Sequence, residues 1–338
     1  MEIKPGLCGL ANLGNTCYMN SCLQILSHTP QFTASIFANK ENQRYKKISI
    51  LKEWMDLYTL LWSNPTVVSP KRFLVTIQII ARKRGYEEFT GNDQNDFVEF
   101  FMFFMNLLHD DLSRKVEMSI TGSIETEKDS LAVLCYKKLR DMYETNYSEI
   151  LKTFYGIHAS ELHSSDAKIV SKVAEPFIVL SLPIPKNTGK ISLLNCLDLF
   201  VSPEKLSNEN KWFNETTKEY EEVVKKTIFF NFPNILVISF KRFNNTNKKI
   251  NHVIDFPIEN LNLSDYIHGY KQDTFVYDLY GIANHSGSVT GGHYTSYVKV
   301  GGELWYHFDD ACVTEINKTL LVSSRAYCLF YQKRGKKS

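Results

Sequence analysis

The chain has 338 residues, 43% of them apolar and 22% charged, with a formal net charge of +2. These are the proportions of a soluble globular protein; the charge argues neither for nor against nucleic acid, and no such partner is assigned. The longest apolar run, Phe100 to Met105, is far too short to cross a bilayer, and no basic-then-apolar signal opens the chain, so no membrane partner is assigned either. The seven cysteines are an odd, scattered set without a Cys-x-x-Cys pair. That excludes an all-thiolate zinc site and predicts a reducing, intracellular setting, cytoplasmic or nuclear.

Residues 1 to 8 read as a leader strand or arm. The stretch from Gly9 to Gln24 is a Gly- and Asn-rich loop running into an apolar segment with Met19, Leu23 and Leu26 on one helical face. Asn15 or Thr16 supplies an N-cap oxygen, so a helix starts at about Cys17; it runs to about His28, before Thr29-Pro30. A thiol in that first turn faces unpaired N–H groups and the positive dipole end, which predicts a lowered pKa and a reactive thiolate. Asn12 can fold back to aim its amide at an oxyanion formed beside Cys17. Taken alone, a capped cysteine reads more simply as a small buried hydrophobe. Ile48 to Trp62 repeats Ile48, Leu51, Met55 and Tyr58 at helical spacing, and Ser69-Pro70 opens a further helix with Phe73, Ile77 and Ile80 inside.

The segment Asn92 to Phe100 begins the most apolar helix, which has to be buried. Asp96, Glu99 and Asn106 stack on one narrow polar stripe of it. Buried carboxylates need partners: internal ones such as Arg72, Arg82 or a cap interaction at Asp93, or a cationic substrate segment. Ser130 to Thr145 is another helix. After Ser148 β-character dominates: Ile150–His158 pairs with Ile169–Ile184 around a tip at residues 163–166, and Trp212-Phe213 pairs with Val223–Phe230 around residues 215–218. Leu180 to Pro185 ends a strand, and Ser192 to Phe200 is a short helix. Ile235 to Phe243 is a buried central strand with a partner ending at Phe256-Pro257. Phe275–Asn284 and Ala326–Gln332 are further strands, and a basic tail, 335–338, is disordered.

A second chemical signal lies near the far end. His293 follows a Gly-rich loop, residues 284–292, and opens a strand to Val300; Gly301-Gly302 turns the chain, and Glu303 to Phe308 returns towards Asp309 and Asp310. Counting register about a two-residue turn pairs His293 with Asp310. His285 and His307 read as structural. His293 differs because Gly291 and Gly292 let a substrate backbone approach closely, and residues 286–290 form a loop shaping that channel. Nucleophile, base and base-orienting carboxylate are then all present.

The stretch around Cys17 and the stretch Gly291-Gly292-His293-Tyr294 with Phe308-Asp309-Asp310 closely resemble the Cys and His boxes of the ubiquitin-specific proteases. The resemblance covers about residues 5 to 333. It implies an α+β, papain-like cysteine peptidase fold with right-hand thumb, palm and fingers, in one catalytic domain over 5–334. The helical thumb would take about 5–149, the fingers about 150–174 and 203–226, and the palm about 175–202 and 227–334. In the family pattern Cys17 is the nucleophile, His293 the base, Asn12 the oxyanion donor and Asp309 the triad acid, with Asp310 assisting. Residues 94–100 resemble the family's Gln-box, with Asn95 in place of a Gln; this assigns Gln94, Asp96 and Glu99 to the Arg-rich tail of ubiquitin, while Gly291, Gly292 and Tyr294 line the channel. At the two finger tips the family's zinc-binding positions hold His163, Asp166, Asn214 and Thr217, a poor ligand set, so no metal and no cofactor is assigned. The implied activity is a thiol isopeptidase cleaving after the C-terminal glycine of ubiquitin, acting as a monomer on ubiquitin or ubiquitinated proteins. Two other readings are a catalytically weak ubiquitin-binding scaffold and a deconjugase of another ubiquitin-like modifier.

Overall fold

The computed structural model describes residues 5–38, 48–64, 66–186, 189–244, 246–270, 274–288 and 291–335. Five helices from the first third of the chain build one lobe: α1 (Cys17–Ser27), α2 (Pro30–Ala38), α3 (Ile50–Ser63), α4 (Lys71–Arg84) and α5 (Phe97–Leu112). Helix α5 buries Phe97, Phe100, Phe101 and Phe104 completely, each such ring contributing roughly 1.5–3 kcal/mol by leaving water. Its polar stripe is not buried, however: Glu99, Met102 and Asn106 face solvent. Arg72 pairs with Glu53 and Asp56, and Arg82 donates to the Thr90 carbonyl, so neither serves the stripe. Glu99, at the surface, needs no internal partner, which corrects the expectation for that residue; Asp96, half-buried at the start of the helix, does find internal partners.

The other lobe is an eight-stranded sheet. Its order is Cys312–Ile316, Leu304–Asp309, Gly292–Val300, Val276–Gly287, Ala326–Lys333, Ile235–Phe240 and Val179–Leu182, with Leu261–Asn262 paired separately to Val276–Gly287. The last two strands of that order run parallel; the other pairs are antiparallel. The Ile235–Phe240 strand is buried throughout, but the expected partner ending at Phe256-Pro257 pairs instead with Ile191–Ser192. Just beyond it Arg242 is fully buried, and its guanidinium donates to the carbonyls of Ala326, Ile250 and His252. Helix α1 lies against Val276–Gly287 and Gly292–Val300. The approach is close enough that a Cβ on Gly281 would come within 2.8 Å of Ile25, so that position needs glycine.

Beyond these lobes a four-stranded sheet, Ile169–Phe177, Gly156–His163, Val223–Asn231 and Glu204–Leu206, packs on α6 (Glu127–Thr145). Three expectations fail here. Residues Glu149–Phe154 form a helix, α7, rather than the start of a strand, with the N-cap at Ser148 and Ile150, Leu151 and Phe154 turned inward. The stretch 169–184 is two strands, because the chain leaves the finger sheet after Phe177 and joins the large sheet at Val179. Likewise Trp212–Asn214 closes a small hairpin with Glu219–Glu221, while Val223–Asn231 pairs with Gly156–His163. Helix α8 (Leu193–Val201) opens with a capping box between Ser192 and Asn195.

Candidate active site

Cys17 is the first residue of α1, as its sequence predicts, but the cap differs. Thr16 stands at the N-cap without a side-chain cap bond; its Oγ1 accepts from Leu13 N–H at 2.9 Å. Asn12 Oδ1 holds the loop by accepting from the N–H groups of Gly14 (3.0 Å) and Thr16 (3.2 Å). The thiol is 4% exposed, and its Sγ accepts from Tyr294 N–H at 3.4 Å. Burial pushes the thiol pKa up, the Tyr294 N–H opposes this, and the carboxylate of Asp310 adds to the rise. The expectation of a lowered pKa is therefore corrected: in this closed arrangement desolvation outweighs the helix terminus.

His293 opens the neighbouring strand, and its Nε2 meets Asp309 Oδ1 at 2.6 Å. Both side chains are more than two-fifths exposed, so the pair adds little stability; its chemical value is to hold one tautomer and leave Nδ1 as the ring's free acceptor. The strand register pairs Val300 with Leu304 about a three-residue turn, in which Gly301 and Gly302 take positive φ. The two-residue count is one short, but the longer turn would set residue 311 opposite His293; the pairing ends at Ser296 and Phe308, and the imidazole reaches diagonally to Asp309, not Asp310. Asp310 leaves the strand with φ +47. Its carboxylate accepts from Asn12 Nδ2 at 2.8 Å and Asn20 Nδ2 at 2.7 Å, and its carbonyl accepts from Leu10 N–H at 2.8 Å. One ligand atom from each of His293, Asp309 and Asp310 lies within 4.8 Å of the others. Asn12 thus has one amide N–H engaged by Asp310. Asn20, a buried polar residue three places after the cysteine, belongs to the site but was not singled out from the sequence, where nothing separates it from Ser21, Gln24 and Ser27, the other buried polar residues of α1.

Of the remaining predicted residues, Gln94, Asp96, Gly292 and Tyr294 line a cavity of about 170 Å³ together with Cys17, Tyr18, Phe243 and His285, while Glu99 and Gly291 are not part of its lining. Gln94 Oε1 accepts from Gly292 N–H at 2.7 Å, bridging the two lobes. Asp96 caps α5, its Oδ1 accepting from Val98 and Glu99 N–H, while Oδ2 accepts from the hydroxyls of Tyr294 and Tyr327. Glu99 is exposed; partial burial, then the carboxylates of Asp96 and Glu88, push its pKa up. A Cβ on Gly291 would lie 3.7 Å from Gln94 Oε1, an ordinary contact, so packing does not by itself require glycine there. His285, as expected, is a buried structural ring, packed on Tyr294, Tyr327 and Phe243. Burial lowers its pKa to about 4. A Cβ on Gly292 would fall 2.2 Å from its Nε2, so this glycine is required by packing as well as by access. His307 is likewise packed on Tyr297 and lowered by burial. In the channel loop, residues 289 and 290 lie outside the described residues, as does the predicted tail at 336–338. At the finger tips, His163 Nε2 bonds Glu161, Asp166 bonds Ser164 and Lys168, and Asn214 and Thr217 both donate to Glu221. Each of the four residues at the zinc positions is thus engaged by the protein itself.

A thiol at a helix terminus, with an imidazole–carboxylate pair at the edge of the sheet it packs on, is the arrangement of the papain-like cysteine peptidases, and the α+β fold agrees. The chain belongs to the ubiquitin carboxyl-terminal hydrolase family, whose model matches residues 8–331. It is 33% identical over 346 residues to ubiquitin carboxyl-terminal hydrolase 2 of Bos taurus, covering 97% of this chain and 55% of the relative. It is also 33% identical to the Gallus gallus protein of that name, covering 98% of this chain and 94% of the relative. The chain spans about half the length of the Bos taurus, Rattus norvegicus and Homo sapiens relatives. Among solved structures, a chain of the SAGA DUB module Ubp8/Sgf11/Sus1/Sgf73 bound to monoubiquitin matches with a TM-score of 0.74 at 24% identity, over 99% of this chain and 71% of that one. A chain of the Ubp8-Sgf11-Sgf73-Sus1 module matches at 0.72 and 26% identity, over 99% and 69%. These likenesses carry the ubiquitin-specific protease fold.

Proposed function

We propose that the chain is a deubiquitinating thiol isopeptidase that hydrolyses the bond after the C-terminal glycine of ubiquitin. The observation that carries this is that Cys17, first residue of α1 and bonded at Sγ by the N–H of Tyr294, adjoins a small cavity that Gly292 and Tyr294 also line, while His293, the residue between those two, holds Asp309. Cys17 Sγ attacks the glycine carbonyl, and His293 takes the thiol proton on Nδ1 and returns it to the leaving lysine amine. Asp309 holds the imidazolium, and water then hydrolyses the thioester with the same base. The oxyanion falls to the backbone N–H groups at the start of α1 and to the second N–H of Asn12, whose first is anchored on Asp310. The exposed carboxylate of Glu99, beside Glu88 and Asp96, suits a cationic tail entering the cavity. Ubiquitin stands in the structures similar to this one and in the names of the relatives, which supports it as the partner. Seven free cysteines support a reducing compartment.

One observation favours a second reading, a ubiquitin-binding scaffold of weak activity: Sγ bonds the Tyr294 N–H rather than the imidazole, and burial disfavours its thiolate. Turnover of a ubiquitin C-terminal fluorogenic amide, absent in Cys17→Ala, is the expected result. A folded sample without turnover that binds ubiquitin, yet is not trapped by an electrophilic ubiquitin, would replace the enzyme with the scaffold. Parallel substrates built on other ubiquitin-like modifiers test the remaining reading.

A further inference from the structure

We propose that Tyr327, a residue with no assigned role, is a positioning residue for the nucleophile, acting through Asp96 and Tyr294. Three separate elements meet at one carboxylate here. The Tyr327 hydroxyl, from the strand Ala326–Lys333, donates to Asp96 Oδ2 at 2.6 Å, and the Tyr294 hydroxyl, from the strand that His293 opens, donates to the same oxygen at 3.1 Å. The other oxygen receives two N–H groups from the first turn of α5. Four hydrogen bonds fill the acceptor capacity of a carboxylate, so Asp96 in this state is a tie between lobes and has nothing to offer a cationic ligand. The tie reaches the chemistry through Tyr294, whose side chain it pins and whose backbone N–H bonds Cys17 Sγ. Both tyrosines are at least nine-tenths buried, and charge-assisted hydrogen bonds in such a place are strong and exact in direction. Losing the Tyr327 hydroxyl frees one side of the carboxylate, lets the Tyr294 ring shift, and loosens the N–H that steadies the sulfur. The contact with a substrate's cationic tail then rests on Glu99, which carries none of these ties.

This inference rests on Cys17 being the reactive thiol, and its test has an arm that needs no ubiquitin. Tyr327→Phe and Asp96→Asn, which keeps a good N-cap, are compared with the parent for alkylation of Cys17 by iodoacetamide. The exposed Cys312 is the internal reference, read peptide by peptide, and thermal melting checks that each variant is folded. The expected result is a Cys17-to-Cys312 alkylation ratio lowered about three- to tenfold in both variants, with kcat on a ubiquitin amide falling by a similar factor and KM changing less than about twofold. An unchanged or raised ratio in folded variants overturns the proposal, since Tyr327 would then only pack over the thiol; a rise in KM alone would make it a binding residue instead. A parent that alkylates as expected but never cleaves ubiquitin would defeat the proposed function while leaving the positioning role standing.

Discussion

The seam between the helical lobe and the large sheet, and the tips of the finger strands, are held in opposite ways. At the seam the bonds join parts of the chain far apart in sequence: Asn20 to Asp310, Tyr294 to Cys17, Tyr327 to Asp96, Gly292 to Gln94. At the tips the side-chain bonds of the four zinc-position residues are local, His163 to Glu161, Asp166 to Ser164 and Lys168, Thr217 and Asn214 to Glu221. Proton transfer needs atoms placed to a fraction of an ångström, and only ties that cross the seam can do that. A cradle for a globular partner needs shape, which strand pairing and short turns supply.

The contrast breaks most sharply at the triad. Asp309→Ala is expected to lower kcat roughly 10²- to 10⁴-fold with the fold intact, because the imidazole loses the acceptor that fixes its tautomer. Asp309→Asn, whose amide oxygen still accepts from Nε2–H, should lose far less. Steady-state kinetics on a ubiquitin amide, beside Asp310→Asn, checks it; equal losses would mean that Asp310 shares the role.

Acid should loosen the seam next. His285 is held neutral, its pKa lowered to about 4 from 6.5, with burial the first cause and the Lys249 charge the second. The unfolded state therefore binds more protons between those values, so stability rises with pH across that window and is lost as pH falls through it. The loss reaches about 3 kcal/mol from this residue at the acid end, and thermal melts from pH 7 to pH 4 would reveal it. His285→Gln should flatten the curve.

A smaller effect is expected at the mouth of the channel. Glu99→Gln should raise KM about three- to tenfold with kcat nearly unchanged, and added salt should narrow the difference, since the carboxylate is exposed and its attraction is screened. The smallest belongs to the fingers. Thr217→Ala should cost less than about 1 kcal/mol, and a strong chelator should leave the melting temperature where it was; a drop with the chelator would mean that a metal does hold the tips.

The legible parts of the site were those whose chemistry is written in neighbouring residues. Cys17 at a helix start, His293 after paired glycines, and an acid after Phe308 all lie where residue order placed them. The thiol's environment was not legible, because desolvation depends on what packs over Cys17, and that includes Tyr294, 277 residues away. Tyr327 gave no signal at all: a tyrosine in an apolar strand reads as core until a carboxylate from another lobe is found against its hydroxyl. In the fingers, Ile150 to Phe154 has the β-branched and aromatic content of a strand yet is helical, since packing overrides so weak a preference.

By itself, the order of residues determined the family, the chemical groups and the helices and strands that carry them, because capping, periodicity and turn chemistry act over a few residues. Tertiary structure alone decided how deeply the thiol is buried, how Asn12 and Asn20 engage Asp310 and where Asp96 spends its hydrogen bonds. Those depend on the contact of surfaces distant along the chain, which no local interaction encodes.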